Sequence, residues 1–73
     1  MKPLHYKKLC KIFEKFGCVY SHTQGDHKIY HFKGAKRAVV IPKYKEVPVF
    51  IIKNNMKTIG MVNSDFKKLL YEV

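Results

Sequence analysis

Cys18-Val-Tyr-Ser-His-Thr-Gln-Gly-Asp-His-Lys-Ile-Tyr-His-Phe32 is the stretch that decides the fold. Two runs rich in aromatic and β-branched residues, Cys18–Thr23 and His27–Phe32, flank Gln24-Gly25-Asp26. That is the composition of two strands and the turn between them. A second turn at Gly34-Ala-Lys36 leads into Arg37-Ala-Val-Val-Ile41, closed by Pro42, which cannot donate to a ladder. Three strands on short connections read as an antiparallel meander.

On either side the period changes to that of a helix. Between Pro3 and Gly17 the residues Leu4, Tyr6, Leu9, Cys10, Phe13 and Phe16 recur at three- and four-residue spacing. Lys7, Lys8, Lys11, Glu14 and Lys15 take the opposite side, so the spacing predicts an amphipathic helix with a basic outer face. Pro3 suits its first turn and Gly17 its end. After Lys43-Tyr-Lys-Glu46, a second helix is expected from Pro48, with Val49, Ile52, Met56 and Ile59 in one stripe and Gly60 as its stop. Asn63-Ser-Asp65 is a cap cluster before a short last helix that turns Phe66, Leu69 and Leu70 inward. The expected architecture is α+β, α-β-β-β-α with an extra C-terminal helix. It forms a single domain over residues 1–73, with a three-stranded antiparallel sheet covered on one face by helices. The other face is left for solvent or a partner.

With 73 residues there is room for one domain, and 47% hydrophobic residues with five Phe and five Tyr suffice for a small core. This excludes a disordered tail, and the length excludes a large enzyme with a deep cofactor cleft. Lys+Arg number 15 against five Asp+Glu, a net charge of +10, which favours a polyanionic partner. Every cation but Arg37 is lysine, a point charge suited to phosphate backbone more than to base readout. Cys10 and Cys18 show no paired metal-ligand or disulfide spacing, and Cys10 reads as a small core residue. The basic N-terminus lacks a following apolar stretch, and Val47–Ile52 is too short to span a bilayer, so a cytoplasmic location is expected.

Chemistry concentrates at Gly25-Asp26-His27. A histidine where the chain enters a strand is held by a rigid element while its ring reaches solvent, which suits a general acid or base near neutral pH. Asp26 is adjacent, but neighbours along a strand face opposite sides, so contact with the ring does not follow. If His22 pairs with His27, then His27, Ile29 and His31 share one sheet face with His22, Tyr20 and Cys18. Three imidazoles and a thiol are zinc-type donors, yet along a flat sheet they do not converge. A polar, aromatic, solvent-facing surface is the plainer reading, and no metal or cofactor is expected.

The order of motifs resembles the HicA family of small toxins. The features are Phe16-Gly17-Cys18-Val19, then Gly25-Asp26-His27 with Tyr30, then Val39-Val-Ile-Pro42, and finally Met56-Lys-Thr-Ile-Gly60 with Asp65-Phe66 beyond. The resemblance implies a double-stranded-RNA-binding-domain-like fold, metal-independent endoribonuclease activity on mRNA, His27 as the catalytic residue, and an acidic HicB-type antitoxin as partner. Three departures stand out. Asp26 replaces the family's serine, Tyr44 stands where the family has a histidine after the strand-ending proline, and a Gly-Thr near the second helix is absent. Lys28, Lys36, Arg37 and Lys43, on or near strand ends, are the candidates for RNA phosphate contacts, with Asp26 and His31 as supporting residues. The alternative function is a non-catalytic RNA-binding module. A DNA-associated regulator is disfavoured by the lack of a helix-turn-helix.

Overall fold

A computed structural model describes residues 1–73. Its elements are α1 (Tyr6–Phe16), β1 (Val19–Gln24), β2 (His27–His31), β3 (Val39–Pro42), α2 (Val49–Ile59) and α3 (Asn63–Glu72). The three strands form one antiparallel sheet in the order β1-β2-β3. The expected α+β architecture is what forms, with corrections at the element ends. Pro3 is not in the first helix. The His5 side chain caps α1 by accepting from the Lys7 N–H, and Leu4 forms an isolated antiparallel bridge with Val47. The third helix starts after Val62, whose N–H donates to the Asp65 carboxylate at 3.2 Å.

The core joins Leu9, Ile12 and Phe13 of α1, Tyr30, Val39 and Ile41 of the sheet, Ile52, Met56 and Ile59 of α2, and Phe66 of α3. Tyr30, opposite Val39 in the β2–β3 register, is fully buried on the helix side. Its hydroxyl donates to the Glu14 carboxylate at 2.6 Å, tying β2 to α1 across the core margin. Burial first, and its bonds to Cys10 and Glu14 next, hold the Tyr30 phenol well above its ordinary range. Burial likewise pushes the Cys18 thiol up to about 11 and raises that of Cys10. Both cysteines are buried and stay neutral at physiological pH, as packing groups.

Helical cover is narrower than the sequence implied. α1 and α2 both pack on β3, while all six residues of β1 are exposed. Ser21 is the extra residue of a bulge between Tyr20 and His22. This separates Tyr20 from the face expected to hold it with His22. Tyr20 lies opposite Tyr30 and packs edge-on against it at 5.6 Å, whereas His22 lies opposite Ile29 on the outer face.

α2 is fastened to β3 by Asn55, a buried polar side chain. Its Oδ1 accepts from the Val40 N–H at 3.3 Å and its Nδ2 donates to the Val40 carbonyl at 2.8 Å. The carboxamide thus does for the outer edge of β3 what a fourth strand would do. Removing it leaves two backbone groups without partners, each worth about 1–3 kcal/mol when dehydrated. Asn55→Ala is expected to lower unfolding stability by about 2 kcal/mol or more. Replacing the exposed Asn54 with Ala is expected to stay within about 0.5 kcal/mol. Urea denaturation of the two variants checks this, and equal midpoints would remove Asn55 from its role.

Candidate active site at the first hairpin

Gln24 and His27 pair across the hairpin, leaving Gly25 and Asp26 as a two-residue loop. Gly25 has φ +62, and no residue other than glycine has positive φ. A glycine first and an ordinary residue second is the pattern of a type II′ turn, whose twist matches that of the strands. The turn sets the Asp26 carboxylate against the imidazole, with Oδ1 2.9 Å from His27 Nδ1. The alternation rule of strands does not govern this pair, because Asp26 belongs to the turn. Both side chains are open to solvent, His27 45% and Asp26 68% exposed. An exposed pair of this kind contributes about 1 kcal/mol or less to stability, so its consequence is orientation. A carboxylate at Nδ1 favours the tautomer with the proton there and leaves Nε2 as the acceptor.

The end of β3 closes the other side of the turn. His27 lies opposite Pro42, and the Lys43 N–H donates to the Asp26 carbonyl at 2.8 Å. The Tyr44 carbonyl accepts from the Tyr6 N–H at 3.1 Å, so the loop after β3 runs from the hairpin to the start of α1. Tyr44, 45% exposed, and Lys43 therefore occupy the same end of the molecule as His27. In the sequence Tyr44 stands out only as a departure from the family pattern, and its loop becomes part of the site through these backbone bonds.

The remaining candidates lie elsewhere. Lys28 follows His27 but points to the helix side, its Nζ 5.3 Å from the centroid of the Tyr20 ring and 6.0 Å from that of Tyr30. Lys36 and Arg37 are exposed in the connection between β2 and β3, at the end of the strands away from His27. His31 shares the outer face with His27 but is four residues on, roughly 13 Å along the strand. His22 lies opposite Ile29, between them along the sheet. Cys18 is buried and does not join the histidines, and no three His, Cys, Asp or Glu side chains converge as metal ligands. A broad concavity among Leu4, Lys53, Phe66, Leu70 and Tyr71 contains none of these residues. The site is a ledge on the surface, a form that suits a polymer backbone.

No helix is long and apolar enough to cross a membrane. A family model described as the HicA toxin of bacterial toxin-antitoxin matches residues 6–61, from the first residue of α1 to the residue after Gly60. A search of curated proteins finds no match.

An added Cβ at Gly25 would meet nothing within 4 Å, so a side chain there is opposed by backbone strain alone. Gly25→Ala is expected to cost about 1 kcal/mol in stability and to disturb the His27 ring resonances in an NMR spectrum. Unchanged resonances would show that the glycine does not hold the pair in place.

Proposed function

The chain belongs to the HicA toxin family, the toxin half of a toxin-antitoxin pair, and from that premise we propose that it is an endoribonuclease whose general base is His27. The observation that carries this reading is the 2.9 Å approach of Asp26 to Nδ1 of a solvent-accessible imidazole on a rigid hairpin. With the Nδ1 proton turned toward the carboxylate, Nε2 is free to take the proton of a ribose 2′-hydroxyl. The 2′-oxygen then attacks the adjacent phosphorus, and the bond to the 5′-oxygen breaks. The leaving oxygen takes a proton from the imidazolium or from water, which leaves a 2′,3′-cyclic phosphate. RNA is the substrate because DNA lacks the internal nucleophile. Asp26, where the family has serine, acts through the histidine as a positioning residue.

Lys43 is the cation best placed to meet charge on the equatorial phosphate oxygens, since its backbone is bonded to the same turn. Lys28, Lys36 and Arg37 serve the flanking strand of RNA, outside the reacting centre. A net charge of +10 supplies affinity through counterion release, and binding weakens as salt rises. The antitoxin is an acidic protein of HicB type that covers His27 and the outer sheet face around Ile29 and Val40. The protein works in the cytoplasm, where mRNA and antitoxin are both present. The second reading, an RNA-binding module without catalysis, draws on the same lysines and the exposed Tyr20.

His27→Ala is expected to lower RNA cleavage at least about a hundredfold while the fold and most RNA affinity persist. Asp26→Ala is expected to lower kcat with little change in KM, because the carboxylate orients the base without touching substrate. Equal cleavage by His27→Ala and wild type would remove His27 as the base, and no cleavage by the repurified wild type would leave the binding module standing. Excess EDTA is expected to leave the cleavage rate unchanged. Loss on chelation, restored by one divalent ion, would place a metal in the reaction.

A further inference from the structure

The two edges of the sheet are treated differently. The outer edge of β3 is closed by Asn55, whereas β1 is exposed along its whole length and makes no backbone hydrogen bond outside the sheet. The register shows which groups are free. The Val40 N–H and C=O go to Asn55, so Ile29 opposite it sends its own toward β1, where His22 receives them. Tyr20 and Thr23, opposite Tyr30 and Lys28, fall in the alternate pairs, and their N–H and C=O point outward.

Edges of this kind are ordinarily guarded by lysine, proline or a covering element. In a chain with 15 cations, Val19-Tyr-Ser-His-Thr-Gln24 has neither a charged residue nor a proline, and the bulge at Ser21 is its one protection. We infer that this edge receives an extended, acidic segment of a partner protein as a fourth strand. A second copy of the chain is disfavoured, since it would bring two charges of +10 together. A nucleic acid has no peptide ladder to offer. An acidic strand fits, with its main chain bonding Tyr20 and Thr23 and its carboxylates on the helix side reaching Lys28, whose Nζ already overlies Tyr20.

The inference rests on the reading that an acidic partner silences His27, and it supplies the geometry. Gln24 is the residue paired with His27, so an added strand passes two strand spacings from β2, roughly 10 Å. From there its outward side chains continue the row Val40, Ile29, His22 and wall the ledge on which RNA would lie.

The probe is a short synthetic peptide of alternating Val and Glu, mixed with the full chain and followed by amide hydrogen exchange. The Tyr20 and Thr23 amides are expected to slow by about tenfold or more at saturation. The same peptide N-methylated on alternate amides, or with Lys in place of Glu, is expected to give no protection. Unchanged exchange at millimolar peptide, or equal protection by the N-methylated peptide, overturns the inference. So does protection without peptide in a sedimenting dimer, which would assign the edge to a second copy. RNA cleavage is measured separately. Protection in a protein that cuts no RNA keeps the edge and removes the nuclease, and cleavage without protection does the reverse.

Discussion

Two hydrogen bonds from one carboxamide hold the arrangement together. Asn55 meets both the N–H and the C=O of Val40, so α2 is joined to the sheet by a directional contact as well as by the apolar stripe of Ile52, Met56 and Ile59. Apolar packing alone would let the helix slide along β3, whereas a carboxamide bonded to both backbone groups of one residue allows one register. With β3 fixed, Pro42 stays opposite His27 and Lys43 remains within reach of the Asp26 carbonyl. The geometry of the hairpin site is thus set from the far side of the sheet. A second polar tie, from Tyr30 to Glu14, fixes α1 to the middle strand. Between them the two contacts orient both covering helices in a domain too small to rely on core volume alone.

The hairpin site needs few parts because the turn performs several tasks. Gly25 lets the chain reverse in two residues, and that tightness leaves Asp26 outside the strand with its carboxylate beside the imidazole. The backbone of Asp26 also receives the loop after β3, which brings Lys43 and Tyr44 to the same end of the molecule. An imidazole, the carboxylate beside it and a lysine therefore come from two short segments. The lysines farther off are not tied to this turn. Spread over the surface, they act through the field that the whole chain projects.

Much of this was legible in the sequence. The run Cys18–Phe32 announced two strands and a turn, and the flanking periodicities announced the helices, all of which form within a few residues of the expected ends. His27 was legible as a ring held at the start of a strand. What escaped reading depended on contacts between distant residues or on a single irregularity. The Leu4–Val47 bridge moved the helix start from Pro3 to the His5 cap, and no local pattern announces such a pairing. The bulge at Ser21 turned Tyr20 to the helix side without a glycine to mark it. The Asp26–His27 contact has no signature in strand alternation, because Asp26 lies in the turn. The bareness of β1 had a signal, for Ser21, His22, Thr23 and Gln24 are poor material for burial.

The acids are few, and nearly all are occupied. Glu14 receives Tyr30, Asp26 faces His27, Asp65 caps the backbone at Val62, and Glu72 lies 3.6 Å from Lys15. Lys15 is the only lysine or arginine with a carboxylate within 4.0 Å. A net charge of +10 is left that nothing inside the molecule balances. Folding draws these like charges together, so the native state carries a self-repulsion that the expanded chain largely escapes. Any polyanion that binds the native form relieves that repulsion and shifts the folding equilibrium by mass action. Conformational stability is then a joint property of the chain and its ionic surroundings. It is least in dilute buffer, rises with screening, and is greatest when an acidic macromolecule is bound.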